Sequence, residues 1–245
     1  MRELPEALSR HLVSLRGGAA LPDEPVWALA ELSGRLTELS GGAASCLLTA
    51  AFGLVLEAQR KGDPVAWLTL PGSSFFPPDV AAGGVDLDAL VVVRVADVAT
   101  AARAAAQLVR SGGFGLLVLD LAGGAVPASG PVVPPALQSR LVGLCQKHDA
   151  ALVLLTEKGA DAPSIGSLVS LRAEARRGAL AAVAVPGAGE PGLRLLESGA
   201  RGERRVGSGA GRQLAPSCEV AVLKDKRRGP GRLHVEACDG PPGLR

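Results

Sequence analysis

Aromatic residues are scarce in this chain. Its 245 residues include 4 Phe, 2 Trp and no Tyr. A sheet that binds nucleic acid by stacking bases on aromatic rings is therefore nearly excluded, because too few rings are present to build one. The hydrophobic fraction is nonetheless 47%, carried mostly by Ala, Val and Leu. With this much aliphatic material the chain can bury a core, and disorder is not expected.

Clustered metal ligands and long apolar runs are also lacking. The 4 Cys, at positions 46, 145, 218 and 238, and the 3 His are scattered without the spacing of a zinc site, so no metal is expected. Unpaired cysteines fit a reducing cytoplasm, and the charged amino terminus has no signal-peptide core. The uncharged run over residues 39–56 begins with a Gly-rich segment, which favours a buried helix over a membrane span. We therefore expect a cytoplasmic protein without a membrane partner.

Charge is unevenly distributed along the chain. The formal net charge is only +2. Residues 1–170 carry 12 Lys and Arg against 16 Asp and Glu, whereas residues 171–245 carry 14 against 8. The basic carboxyl-terminal part predicts a surface for nucleic acid or an acidic partner, with a solvated basic edge as the alternative.

Helices alternate with short, continuously apolar strands through the middle of the chain. Strands are predicted at residues 35–39, 65–70, 89–95, 116–119 and 151–156. Helices are predicted at residues 46–62, 79–82, 97–110 (with Asp97 as N-cap) and 135–147. Continuously apolar strands are covered on both faces, which is typical of a parallel sheet in an α/β domain. The later strands, at residues 168–175, 180–185, 193–197, 218–224 and 232–237, are predicted to be antiparallel additions to one edge.

The pattern divides the chain into three parts. Residues 1–33 form an N-terminal helix and linker, residues 34–240 the core, and residues 241–245 a flexible C-terminus. An apolar stripe along the N-terminal helix comprises Leu4, Leu8, Leu12 and Leu15. This stripe predicts packing onto the protein's own core or, alternatively, self-association into a homo-oligomer.

The first strand, turn and helix have the organisation of a phosphate-binding loop. Such a loop needs glycines for close approach, a Lys for the β- and γ-phosphates, and a Ser or Thr for Mg²⁺. Here Cys46 takes the last glycine position, Leu47 the Lys position and Leu48 the Ser/Thr position. Because Leu cannot neutralise a triphosphate, no nucleotide cofactor is expected. The degenerate pocket comprises Gly41, Gly42, Ser45, Leu47, Thr49 and Asp120.

Residues 34–240 resemble the core of RecA-type recombinases. The ordered series includes GRLTELSG, VAWLTL, AARAAAQLVRSGGFGLLVLD, LVGLCQKHDAALVLLTEK, SIGSLVSLRAEARR and EVAVLKDKRRGPGRLHVE. The resemblance implies a RecA-like α/β core: a central, mostly parallel sheet flanked by helices, an antiparallel C-terminal extension and a degenerate P-loop. The position of the catalytic Glu falls near Pro71, and residues 157–167 are too few for a full DNA-gripping loop. The resemblance therefore implies that ATP hydrolysis is absent or very weak.

One branch of this superfamily, the ImuA family, is similar in VAWLTLPGSSFFPPDVAAGGVDLDALVVVR and LKDKRRGPGRLHVE. This likeness implies a non-catalytic adaptor in the bacterial DNA-damage (SOS) response. It would support error-prone translesion synthesis with ImuB and an error-prone polymerase, with RecA and single-stranded DNA as further partners. The implied DNA- or partner-binding residues are Arg172, Arg176, Arg177, Arg201, Arg204, Arg205, Lys224, Lys226, Arg227 and Arg228.

Two other functions stay open at this stage. The SulA cell-division inhibitors also have a recombinase-like fold without a P-loop, and they bind FtsZ. A weak ATPase with an unconventional pocket would use Ser45, Thr49 and Asp120. The pair Phe75 and Phe76, in a proline-bounded loop, is expected to plug the vacant nucleotide cleft or to form an exposed partner site.

Overall fold

From residue 36 onward, strands and helices follow one another in the predicted order, whereas the short helix at Leu29–Leu32 lies in a segment predicted as a linker. The computed structural model describes residues 26–42, 44–73, 75–122, 133–181 and 214–238. The strands are β1 (Leu36–Gly41), β2 (Val65–Thr69), β3 (Leu90–Arg94), β4 (Leu116–Asp120), β5 (Ala151–Glu157), β6 (Leu171–Ala181), β7 (Leu214–Asp225) and β8 (Leu233–Ala237). The helices are α1 (Leu29–Leu32), α2 (Leu47–Lys61), α3 (Pro77–Ala82), α4 (Val98–Ser111) and α5 (Pro135–His148).

Several predictions concern residues outside these ranges. They are the N-terminal helix with Leu4, Leu8, Leu12 and Leu15, the strand at residues 193–197, and the C-terminus at residues 241–245. Arg201, Arg204 and Arg205 also lie outside the described residues.

The strands form one eight-stranded sheet in the order β3-β2-β4-β5-β1-β6-β7-β8. The first six of these strands run parallel, whereas β7 is antiparallel to both β6 and β8. This arrangement confirms the predicted α/β fold with a mostly parallel sheet and an antiparallel extension at one edge. The carboxyl ends of the parallel strands share one edge of the sheet, which is where α/β proteins place their ligands.

Two of the late strands, β6 and β7, extend beyond the segments predicted for them. The segments 168–175 and 180–185 were predicted as separate strands, but β6 runs without a break from Leu171 to Ala181. Gly178 is the residue that indicated a loop. It lies opposite Ser217 in β7, and a Cβ at Gly178 would come within 2.1 Å of the Glu219 carboxylate. The glycine therefore marks a close cross-strand approach rather than the end of a strand.

Two apolar clusters cover the sheet, one on each face. Helices α1, α2 and α3 contribute to the first cluster, which includes Trp67 and which we call the α2 face. Helices α4 and α5 contribute to the second, the α4–α5 face. Strands β2 and β4 are buried at every position because both of their faces are covered. Each large apolar side chain buried in this way stabilises the fold by about 1.5–3 kcal/mol.

The helix ends follow local chemistry. Asp97 accepts a hydrogen bond from the backbone N–H of Thr100 at 2.7 Å, which confirms it as the N-cap of α4. Helix α2 ends at Gly62, whose φ of +78° is a conformation that glycine adopts without strain. At its start, α2 has no side-chain cap. No helix in the described part of the chain is long and apolar enough to cross a membrane.

Candidate functional site

The turn between β1 and α2 is the segment that the sequence predicts to be a degenerate phosphate-binding loop. Leu47, in the position of the phosphate-binding Lys, is 7% exposed and belongs to the α2-face cluster. Leu48 is half-buried against the same cluster, and Thr49 is exposed on the helix surface. The side chain at the Lys position thus contributes to the core instead of reaching towards a ligand.

The glycines of this turn are in different surroundings. A Cβ at Gly41 would lie 2.3 Å from the Ser45 hydroxyl, so the Ser45 side chain already fills the space beside Gly41. Gly42 is exposed, and a Cβ there would meet nothing within 4 Å. Cys46 donates its thiol hydrogen to the carbonyl of Arg176 at 2.9 Å, which ties the turn to β6. The loop is therefore held by contacts within the protein.

Asp120 is a buried acid at the carboxyl end of β4. The residue is 1% exposed, and its Oδ1 accepts a hydrogen bond from the Ala122 N–H at 3.3 Å. Its Oδ2 and the nearby indole nitrogen of Trp67 both lack a hydrogen-bond partner. Burial raises the pKa of Asp120 to about 6, against the opposing effects of the Ala122 N–H, Ser73 and Trp67. Among the described residues, no basic side chain forms an ion pair with it.

Three of the protein's few aromatic rings pack together near this acid. Phe52 stacks on Trp67 with ring centroids 4.5 Å apart, and Phe75 lies 5.6 Å from Trp67. Phe76, in contrast, is 56% exposed. Of the predicted plugging pair, Phe75 packs against the α2 face, whereas Phe76 faces solvent. Beside them, a cleft of about 450 Å³ is lined in part by Thr69, Ser73 and Arg94.

Glu38 is the centre of a second polar cluster, on the α4–α5 face of β1. It is fully buried, and its carboxylate lies 2.5 Å from the Lys158 ammonium. Thr156, Ser164 and the backbone N–H of Ile165 donate hydrogen bonds to it at 3.1, 2.7 and 3.0 Å. The carboxylate thus fastens residues 158–170, the connection between β5 and β6, onto the sheet.

Arg172 holds the same connection from the next strand. It pairs with Glu38 in the sheet register, and its guanidinium donates to the carbonyls of Gly159, at 2.9 Å, and Ala162. It is only 6% exposed. In this structure Arg172 therefore binds backbone carbonyls of its own chain, and its assignment as a DNA contact stays a prediction.

Lys224 lies on β7, opposite Arg172 of β6 in the sheet register. Burial lowers the pKa of Lys224, and the nearby positive charges of Lys226 and Arg172 add to that effect, while Glu38 opposes it. Lys226, in the following turn, donates a hydrogen bond to the Ser167 carbonyl at 2.7 Å. Lys224 and Lys226 thus both lie close to residues 158–170, the connection between β5 and β6.

The remaining basic candidates separate into two groups. Arg176 and Arg177 are exposed on β6, beside the turn between β1 and α2, and Arg176 pairs with Glu174. Lys226, Arg227 and Arg228 are exposed in the turn after β7, at the end of the sheet where the parallel strands begin. The predicted basic residues that the structure describes therefore do not form one continuous surface.

An ion-pair network that the sequence analysis missed anchors this second group. Arg35 is 2% exposed and donates to Asp225 at 2.5 Å and to the Ser170 carbonyl at 3.0 Å. Asp225 also pairs with Arg232, and Arg228 pairs with Glu31 at 3.1 Å. Burial alone would raise the pKa of Asp225, but hydrogen bonds from Arg35 and the Arg227 N–H, with the charges of Arg35 and Arg232, hold it below its ordinary value.

One sequence signal could have found these clusters. Arg35 and Glu38 are the charged residues in the otherwise apolar RLTEL segment, where a charge must be paired to be buried. Their partners, Lys158 and Asp225, lie more than 100 residues away in the chain. The sequence alone gives no means of choosing those partners.

Comparison with known proteins adds no identification. No protein-family model matches the chain, and no curated protein is similar enough to indicate a family. The findings establish an α/β fold with a mostly parallel sheet. The likeness to RecA-type recombinases remains a prediction from the sequence.

Proposed function

We propose that the protein is a non-catalytic, RecA-like adaptor of the bacterial DNA-damage response. In this role it supports error-prone translesion synthesis with an ImuB-type protein and an error-prone polymerase, and it modulates RecA. The observation that carries the proposal is the burial of Leu47 in the core, at the position where a phosphate-binding loop places its Lys. The resemblance of residues 34–240 to the recombinase core supplies the biological context.

The surroundings of Leu47 support a loss of catalysis. Exposing this side chain towards a ligand would cost about 1.5–3 kcal/mol of apolar burial and would supply no positive charge. Asp120 ends β4, where P-loop proteins place a second acidic residue that binds the metal ion. Burial is the dominant influence on its pKa, and it has no cation partner among the described residues. A carboxyl with this pKa is mostly ionised at neutral pH, so the burial of Leu47, and not Asp120, supports a loss of catalysis.

The exposed basic groups support an interaction role. Arg176 and Arg177 flank the degenerate turn, and Lys226 and Arg227 lie at the other end of the sheet. Positive groups at two separate ends would suit two acidic partners, or one partner together with single-stranded DNA. A solvated basic surface without a ligand is the alternative that experiment must exclude.

Nucleotide binding is the first test. We expect calorimetric titration of the full chain with millimolar MgATP to give no binding heat, and we expect no phosphate release. Saturable binding with hydrolysis that is lost in Asp120→Asn would contradict the proposal and favour the unconventional ATPase.

Partner binding is the second test. Purified full chain is mixed with ImuB, RecA and FtsZ of the same bacterium, and complexes are measured by size-exclusion chromatography with light scattering. We expect a stable complex with ImuB and no effect on FtsZ polymerisation. Inhibition of FtsZ polymerisation without ImuB binding would replace the proposal with the division-inhibitor function.

Paired charge reversals locate the interaction surface. One double variant carries Arg176→Glu and Arg177→Glu, and the second carries Lys226→Glu and Arg227→Glu. Each variant changes two charges at one end of the sheet only. The variant that weakens ImuB binding identifies the end that is used. Mobility shifts with single-stranded DNA over a salt series report the DNA contribution separately, and absence of binding at low salt removes it.

A further inference from the structure

Three of the four thiols converge beside the turn between β1 and α2. Cys46 and Cys218 are 5% and 2% exposed, and Cys238 is half-buried. The Cys218 thiol donates to the carbonyl oxygen of Cys46 at 3.7 Å, although the two residues are 172 positions apart. All four thiols, including Cys145, are free.

Strand register explains why these cysteines meet. Cys218 lies on β7 opposite Glu236 of β8, and Cys238 donates its backbone N–H to Pro216 at 2.8 Å. Residues directly opposite each other share a face of the sheet, and so do residues two apart along a strand. Cys238, two residues after Glu236, therefore lies on the same face as Cys218. Both pack on the α2 face with Cys46, whereas Cys145 packs on the α4–α5 face.

The three thiols differ in chemistry. The neighbouring Cys218 side chain lowers the pKa of Cys46 to about 7; burial opposes this, while the Glu219 backbone and Arg177 assist it. The Cys46 side chain and burial raise the pKa of Cys218. Burial alone raises the pKa of Cys145 to about 12. Cys46 is therefore the thiol best able to supply a thiolate near neutral pH.

We propose that Cys46 and Cys218 form an oxidation site for hydroperoxides, in which Cys46 is the attacking thiol and Cys218 the resolving thiol. The Cys46 thiolate attacks one oxygen of hydrogen peroxide; the O–O bond breaks, a sulfenic acid forms, and the leaving hydroxide takes a proton to become water. The sulfur of Cys218 then attacks the Cys46 sulfur. The S–O bond breaks, the S–S bond forms, and a second water leaves with the Cys218 proton.

The geometry favours this pair over the others. The carbonyl and the side chain of Cys46 share one Cα, so a thiol in contact with that carbonyl reaches the Cys46 sulfur through small side-chain rotations. The resulting crosslink would join the β1–α2 turn to the antiparallel extension. In a reducing compartment such a bond is transient and reports oxidant exposure. The inference does not depend on the proposed function.

Peptide mapping of the full chain tests the proposal. The reduced protein is treated with hydrogen peroxide, remaining thiols are blocked under denaturing conditions, and non-reduced peptides are identified by mass spectrometry. We expect two of the four thiols to be lost, a peptide that links Cys46 to Cys218, and full reversal by dithiothreitol. Retention of four free thiols, a link that includes Cys238, or a link between two chains would overturn the proposal.

Two serine variants separate the roles. Cys218→Ser should abolish the disulfide and leave Cys46 as a sulfenic acid that dimedone captures. Cys145→Ser is the matched control, because it also removes a buried thiol, and its disulfide yield should equal that of the wild type. If Cys218→Ser does not fold, the peptide map of the wild-type chain still decides the pairing.

Discussion

The two halves of the sheet surround their buried carboxylates differently: we call β3-β2-β4-β5 the early half and β1-β6-β7-β8 the late half, after their order in the sheet. On the late half, Glu38 and Asp225 each meet a cation and several N–H or O–H donors. On the early half, Asp120 meets one backbone N–H at 3.3 Å, and one of its oxygens has no hydrogen bond. The late half thus uses buried charge to fasten distant segments. The early half keeps an acid without the positive charge that a nucleotide site would place near it.

The free energies of the two arrangements differ for a physical reason. Removing one partner from a buried ion pair leaves the other charge uncompensated, which costs about 3–5 kcal/mol. An acid buried without a cation has already lost that compensation and is easier to protonate. Substitutions on the late half should therefore destabilise the protein, whereas neutralising Asp120 should stabilise it.

Arg35→Ala should have the largest effect, because it removes a fully buried guanidinium and leaves the buried carboxylate of Asp225 with Arg232 as its one remaining cation among the described residues. We expect the free energy of unfolding to fall by about 4 kcal/mol in urea titrations. Arg94→Ala is the control: Arg94 is exposed and has no ion pair among the described residues, so a change within about 0.5 kcal/mol is expected. Equal effects of the two substitutions would mean that the late half does not depend on this pair.

Leu47→Lys tests whether the turn between β1 and α2 can accept the missing cation. The substitution removes a buried apolar side chain and places an ammonium group in the core, so unfolding should become easier by about 3 kcal/mol. Thr49→Lys, on the exposed surface of the same helix, should change stability by less than about 0.5 kcal/mol. A stable Leu47→Lys protein that binds MgATP would show that the pocket is intact and would erase the contrast between the halves.

Glu38→Gln tests how residues 158–170 are fastened. We expect a loss of about 2 kcal/mol in stability, because Lys158 loses its countercharge and the charged hydrogen bonds weaken. Limited trypsin digestion should cut faster after Lys158. Glu57→Gln breaks the partly exposed pair with Lys61 while its amide oxygen can still accept the Leu29 N–H, and it serves as the control, with an expected loss of about 0.3–0.5 kcal/mol. Unchanged digestion would show that backbone packing alone holds this connection.

Asp120→Asn should have the smallest effect and the opposite sign. The pKa of Asp120 is about 6 in the folded protein against an ordinary value of 3.8. The stability that its neutral form contributes is therefore fully present below pH 3.8 and is lost as the pH rises through about 6. At pH 7.5 the Asn variant should be more stable than the wild type by about 1–2 kcal/mol, and this gain should disappear near pH 4. A variant that is less stable at every pH would show that the carboxylate has an unseen partner.

The core of the fold could be predicted because its signals are local. The run LLVLD predicts a strand covered on both faces, and β4 is buried at all five positions. Asp97 lies three residues before Thr100, the spacing of an N-cap bond. The break predicted between residues 175 and 180 was wrong, because Gly178 continues β6 beside Glu219 of another strand. Local spacing cannot reveal a contact of that kind.

Only part of the candidate site could be predicted from the local sequence. Leu47 at the Lys position indicates a degenerate pocket from chemistry alone, and its burial agrees with that interpretation. The sequence presented Arg172 and Lys226 as members of one basic surface. The structure places Arg172 in hydrogen bonds to carbonyls and separates Arg176 from Lys226 across the sheet. The direction in which a side chain points depends on strand register, which composition does not encode.

The sequence by itself determined the alternation of apolar strands and helices, the presence of Leu47 where a phosphate-binding loop would have its Lys, and the basic character of the carboxyl-terminal part. Only the tertiary structure decided which buried charges are paired, that Glu38 holds the connection between β5 and β6, and that Cys46 meets Cys218. The reason is distance along the chain. Hydrophobic periodicity and capping act over a few residues, whereas ion pairs and thiol contacts join segments more than 100 residues apart, which meet only when the sheet has formed.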